Sequence, residues 1–205
     1  MFFNYKSQHG QDKEILEILN YKKNGFFLDI GCSEPEYLSN TYVLEKDFNW
    51  TGICVDPRKG LRQSFSNERT AIFEESAIFT HSGKIAFSDL GVYAGVNDAN
   101  ITDTLTTDQN FIYEVNCLTV EELFRKHNAP TTIDYMSLDV EGAELLILET
   151  FPFDRYKVLT ASVEHNSYLG SRQTKKGEEI LELMEKHNFK LHKTLKCDFI
   201  FVYKS

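Results

Sequence analysis

The feature that most constrains this chain of 205 residues is a repeated order of segments: an apolar run, a helix-permissive stretch, then another apolar run. Four of the runs carry an acid at or near their carboxyl end: Phe26–Gly31 with Asp29, Thr51–Asp56, Ile133–Asp139 and Tyr156–Glu164. Short apolar runs bounded by glycine or an acid read as buried strands. Between them, apolar residues at helical spacing predict helices over 10–23, 40–48, 119–128, 142–150 and 176–187. Asn24-Gly25 is a stop for the first, Ser39 or Asn40 a cap for the second, and Thr119 with Glu122 a capping box for the third. Strands alternating with helices imply an α/β fold with a mostly parallel sheet covered on both faces. Ligands of such sheets bind outside the carboxyl ends of the strands. The four acids therefore converge on one edge.

The remaining segments fill in the same scheme. Pro57 suits the first turn of a short helix. Residues 70–79 read as one strand-like stretch, 84–88 and 111–117 as alternating strands, and 189–191 and 197–203 as terminal strands. The polar stretch 89–110 is a long loop, a kind of segment that is usually functional in a compact domain. No Pro/Gly/Ser-rich linker or repeat divides the chain, so one domain over 1–205 is expected, either alone or within a longer glycan-assembly polypeptide.

Charge and composition remove several function classes. Lys plus Arg is 22 and Asp plus Glu is 31, a net charge of −9, which disfavours a nucleic-acid partner that would need phosphate neutralisation. No apolar run approaches the roughly 18 residues of a membrane span. The first ten residues lack a signal peptide's apolar region, so a cytoplasmic location is expected. Cys32, Cys54, Cys117 and Cys197 form no CxxC pair, which argues against a zinc ribbon or redox motif and for reduced thiols.

Asp29 and Gly31 at the end of the first run, with Asp56 at the end of the second, suggest a nucleoside site. A glycine there lets a ligand approach the backbone, and an acid after the second strand can accept both ribose hydroxyls. A dinucleotide-binding oxidoreductase would carry Gly-x-Gly-x-x-Gly before a helix, but Gly31 stands alone and Glu34 and Glu36 follow it. Those acids would repel a pyrophosphate and suit a cationic, phosphate-free ligand. S-adenosylmethionine is one, with Asp29 and Glu34 toward its methionine end and Asp56 on its ribose.

Four stretches are similar to a known family: Ser7-Gln-His-Gly-Gln-Asp12; Phe27-Leu-Asp-Ile-Gly31 with Ser39-Asn-Thr-Tyr42 and Asp56-Pro57; Ile133-Asp-Tyr-Met-Ser-Leu-Asp-Val-Glu-Gly-Ala-Glu144; and Ser162-Val-Glu-His-Asn166. In order and spacing they resemble the FkbM-type S-adenosylmethionine-dependent methyltransferases. The resemblance implies a Rossmann-like, seven-stranded class I methyltransferase sheet, a cofactor at the ends of the first strands, and O-methylation, often of a sugar or polyketide hydroxyl. It places Gln11's segment over the cleft. Gln11, Asp29, Gly31, Glu34, Asn40, Asp56, Ser76 and Asp139 are the expected cofactor contacts. Glu34-Pro35 stands where the family often has Asp-Gly.

A hydroxyl acceptor needs a general base or a metal. Asp139, Glu141, Glu164 and His165 are the candidates, and Glu144 is read as a helix N-terminal residue. Asp139, Glu141, Glu164 and His165 would also suit a hard divalent cation such as Mg²⁺, although strand-end carboxylates are expected without one. Tyr93 and the polar 89–110 loop would line a carbohydrate site. The acceptor is a sugar or glycan hydroxyl in the leading reading and a small-molecule or lipid-linked hydroxyl in the next. The rival of another class is a catalytically silent interaction domain.

Overall fold

The computed structural model describes residues 3–98, 101, 108–166 and 170–204. In chain order the main elements are α1 (Gln11–Ile18), β1 (Phe26–Ile30), α2 (Tyr42–Phe48), β2 (Thr51–Val55), α3 (Leu61–Glu68), β3 (Ile72–Glu74), β4 (Ala77–Ile78), β5 (Gly83–Ser88), β6 (Gly95–Val96) and β7 (Ile112–Leu118). They continue with α4 (Val120–His127), β8 (Thr132–Leu138), α5 (Glu144–Glu149), β9 (Lys157–Glu164), α6 (Ser171–Lys186), β10 (Phe189–Leu195) and β11 (Asp198–Tyr203). Seven strands form one sheet in the order β10-β11-β9-β8-β1-β2-β3, and β4-β7-β5-β6 form a second.

Alternation along β1 decides which face each residue serves. Phe27 packs into a cluster with Ile15, Leu16, Leu44, Trp50 and Phe65, which brings α1, α2 and α3 onto one face. Leu28 and Ile30 pack with Leu123, Phe124, Ile147, Leu148 and Ile180, which bring α4, α5 and α6 onto the other. A strand buried on both faces reads as a continuous apolar run, and this is why β1 and β2 are conspicuous in the sequence.

β1 lies between β2 and β8 and runs parallel to both, so the chain leaves β1 in opposite lateral directions to reach its two neighbours. That is a topological switch point, where an open α/β sheet parts to leave a crevice at its carboxyl edge.

The structure corrects several sequence expectations. The seven-stranded sheet is mixed rather than mostly parallel, because β11 runs antiparallel to both β9 and β10. Two strands joined by a tight connection at Lys196-Cys197 can only fold back as a hairpin. The stretch 70–79 is two strands in two sheets, since Ser76 turns the chain and its hydroxyl donates to Glu74 at 2.8 Å. Pro57 does not open a helix. The Asp56 carboxylate takes the Arg58 N–H at 2.9 Å, a local bond that competes with helix, and α3 starts only after Gly60 at φ +90°. Helix α1 ends at Ile18, ahead of Asn20 and Tyr21 in left-handed conformations. Helix α6 starts at Ser171, in polar sequence that carries no apolar period. The 89–110 loop contains β6, and its residues 99–100 and 102–107 lie outside the described residues.

Candidate functional site

The site begins with two backbones in contact. Gly31 leaves β1 at φ +82°, and a Cβ on it would lie 1.6 Å from the Asp139 carbonyl oxygen at the end of β8. The Gly31 N–H donates to Val55 O at 2.9 Å and the Asp139 N–H to Ile30 O at 3.0 Å. Only glycine meets both demands, the left-handed dihedral and the close crossing. Outside this crossing lies a cavity of about 260 Å³. Its walls come from the carboxyl ends of β1, β2, β8 and β9, from the 8–11 segment, and from the second sheet, which adds Ala77, Ile78, Phe87 and Val96.

On one side stand Asp29, Asn40 and Asp56. The buried Asp29 accepts from the Thr41 hydroxyl at 2.6 Å. Arg69 donates to the same Thr41 oxygen at 3.0 Å and to Glu45 at 2.7 Å, so a buried ion pair braces the floor. Burial pushes the Asp29 carboxyl up, opposed by Thr41 and the Arg69 charge. Asn40 donates to Ser137 Oγ at 2.9 Å and leaves its buried Oδ1 with no partner. Asp56 is held by the Ser33 N–H at 3.1 Å and by the Arg58 guanidinium at 3.1 and 3.3 Å. Burial raises its carboxyl as well, against the attraction of Arg58.

On the other side Asp139, Glu141 and Glu164 come together, with carboxylate oxygens within 4.8 Å of one another. Glu164 is 7% exposed, and its Oε2 has no hydrogen-bond partner. Burial, then the charges of Asp139, Glu144, Glu141 and Asp198, hold the Glu164 carboxyl well above the usual range. Burial and Glu141 do the same to Asp139. Glu144 is occupied elsewhere. It accepts the N–H groups of Val140 and Gly142 and pairs with Lys176 at 3.1 Å, locking the turn in which Glu141 and Gly142 adopt positive φ.

Of the residues expected to bind a cofactor, Gln11, Asp29, Gly31, Asn40, Asp56 and Asp139 line this cavity. Glu34 instead faces a neighbouring depression with Tyr5, Lys6 and Tyr37. Ser76 is buried on Glu74, one residue short of the wall. The structure does not bring His165 to the cavity: its ring stacks on Phe199 at 3.8 Å and 16°, and burial followed by the Lys176 charge lowers its pKa. Glu164, the last residue of β9, lines the cavity, and His165 just beyond it turns to Phe199 instead. Tyr93, exposed, lines the mouth.

Sequence reading missed Arg58, Arg69 and Asp198. Asp198 accepts from Gln11 Nε2 at 2.8 Å and so ties the N-terminal segment to β11, and burial pushes its carboxyl up to about 6. Arg58 had a signal in Asp56-Pro-Arg58, a turn in which the first side chain can hold the third residue. Arg69 and Asp198 depend on partners 24 and 187 residues away, for which no local pattern exists.

No helix among the described residues is long and apolar enough to cross a membrane. A family model described as the methyltransferase FkbM domain matches residues 29–191. No curated protein matches the chain.

Proposed function

From the premise that the chain belongs to the FkbM methyltransferase domain family, we propose that it is an S-adenosylmethionine-dependent O-methyltransferase acting on a hydroxyl, foremost that of a sugar or glycan. The observation that carries this reading is one cavity with acids from four strand ends on its wall: Asp29, Asp56, Asp139 and Glu164.

The donor set fits such a cofactor. Asp56, at the end of β2, would accept the ribose hydroxyls by giving up part of its Arg58 and Ser33 hydrogen bonds, and the partnerless Asn40 Oδ1 offers an acceptor to an ammonium or amide donor. Ala77, Ile78, Phe87 and Val96 supply an apolar wall for the base. Acids without phosphate-binding glycines suit a cation better than a pyrophosphate. When bound, S-adenosylmethionine supplies a methyl on a cationic sulfur that leaves as a neutral thioether.

The chain's own task is to place and deprotonate the acceptor. Glu164 is the proton acceptor in this reading, with Asp139 beside it. A carboxylate whose proton affinity is raised by burial and like charge is a stronger base than a solvated one. Tyr93 and its loop give a sugar ring an aromatic face at the mouth. His165, stacked on Phe199, is not one of the proton-accepting groups in this reading. We read residues 1–205 as one methyltransferase domain. The four cysteines are free and buried, in keeping with a reducing, cytoplasmic setting.

The test is incubation with S-adenosylmethionine and a panel of glycans, small alcohols and lipid-linked sugars, read by release of S-adenosylhomocysteine and by product mass. Transfer to a sugar hydroxyl, reduced more in turnover than in cofactor affinity by Glu164→Gln, is the expected result. Transfer to nitrogen or carbon acceptors alone would overturn the O-methylation reading.

A further inference from the structure

Three carboxylates converge at the mouth of β8 and β9, and their positions carry more than a base. Asp139, Glu141 and Glu164 each offer an oxygen, and the three lie within 4.8 Å of one another. Ligands on opposite sides of a hard divalent cation, with bonds of about 2.1–2.5 Å, stand about 4.2–5.0 Å apart. The spacing therefore admits one ion among all three.

A cluster of acids on a surface would mean little, but here Asp139 and Glu141 are half-buried and Glu164 is buried. Glu164 is more than nine-tenths buried, lines the cavity, and keeps Oε2 without a hydrogen-bond partner. A buried carboxylate oxygen left unpaired costs about 1–3 kcal/mol or more, so it marks a position where something else completes the bond. The neighbouring acids do not share this state. Glu144 has Lys176 and two backbone N–H groups, and Asp198 has Gln11. Asp139 and Glu164 stand close enough to share a hydrogen bond, carboxyl to carboxyl, an arrangement that a bound cation would replace.

We propose that Asp139, Glu141 and Glu164 form a binding site for one hard divalent cation, of the Mg²⁺, Mn²⁺ or Ca²⁺ class, at the acceptor end of the cavity. Three oxygen ligands and no thiolate or imidazole select these ions over zinc or copper. The set differs from the one legible in the sequence in one member: His165 leaves it, because its ring is stacked on Phe199 instead. Three protein ligands leave coordination positions open, so an acceptor carrying two adjacent oxygens could chelate the ion. A cation so placed lowers the pKa of the hydroxyl it holds, while a ligating carboxylate keeps one oxygen for the proton. The binding site rests on geometry alone, and its use on a hydroxyl rests on the methyl-transfer reading.

The experiment is calorimetric and paramagnetic titration of the chelator-treated protein with Mn²⁺ alone, competed with Mg²⁺ and Ca²⁺, with no cofactor present. One ion per chain is expected, weakened at least tenfold in both Glu164→Gln and Glu141→Gln and accompanied by a rise in melting temperature of the unsubstituted protein only. Glu141 lies on a turn rather than in the sheet, so its variant reports on the site even where Glu164→Gln fails to fold. Absence of Mn²⁺ binding, or affinity unchanged in folded Glu141→Gln, overturns the proposal. S-adenosylhomocysteine titrated into the same sample separates the two readings: its binding without Mn²⁺ overturns the cation site alone, and Mn²⁺ binding without it supports the site while removing the methyltransferase reading.

Discussion

Gly31 carries the strictest demand in the molecule. Its φ of +82° and the 1.6 Å approach of the Asp139 carbonyl exclude any Cβ. Gly31→Ala is predicted to destabilise the protein by about 3 kcal/mol or more, combining left-handed strain with a displaced β8 terminus. Urea unfolding checks this as a lower midpoint at unchanged slope. Glu45 makes a second residue-scale case. It is the buried counter-charge of Arg69, whose side chain is fully enclosed. Glu45→Gln would leave that charge unpaired, at a cost of about 3–5 kcal/mol. A loss below about 1 kcal/mol in the same unfolding measurement would show that the Thr41 and Pro35 contacts suffice for Arg69. The sequence could show Gly31, because a glycine after an apolar run has few other uses. It could not show Arg69, whose partners are assembled only by the fold.

At the scale of elements, what was legible followed from periodicity and local chemistry. The capping box at Thr119 appears with the geometry its spacing predicts: the hydroxyl accepts the Glu122 N–H at 3.2 Å, and the Glu122 carboxylate accepts the Thr119 N–H at 3.3 Å. Thr119→Ala is predicted to cost about 1 kcal/mol and to fray α4 first, seen as faster amide exchange over 120–123. Strands β1, β2, β8 and β9 were legible for the opposite reason, their lack of polar interruption. The second sheet was legible in part: β5 and β7 answer to the alternation over 84–88 and 111–117, but β4 and β6 are two residues long, and two residues hold no period. The reversal of β11 was hidden too, since an apolar strand reads the same in either direction. Within the site, the acids at strand ends could be named, but the side each one faces depends on where the strand stops. Glu164 and His165 differ by one position, yet the first lines the cavity and the second stacks on Phe199.

For the whole molecule, the acids divide by the sign of their effect on stability. Burial raises Glu45 and Glu74, but Arg69 and the Thr70 N–H outweigh it for the first, and Lys126, His127 and Ser76 for the second, so both carboxyls lie below the ordinary range. Their contribution is present above the unfolded value near ~4.3 and is lost as pH falls through the folded values. Carboxyls raised by burial act in the opposite sense while their unfolded counterparts take up protons, and drop out of the balance only below about pH 3, where both states are protonated. The melting temperature is therefore predicted to fall below about pH 3, and the fall should be shallower in Glu45→Gln. A curve of the same steepness in that variant would assign the acid lability elsewhere.

The central claim is that the crevice at the switch point is a nucleoside site built on Asp56. Calorimetric titration of the folded protein with S-adenosylhomocysteine tests it most directly. The predicted result is one site per chain with micromolar affinity, weakened about ten- to a hundredfold in Asp56→Ala, the loss of hydrogen bonds to a charged acceptor. Binding that is absent in a folded sample, or equal in the two proteins, would contradict it.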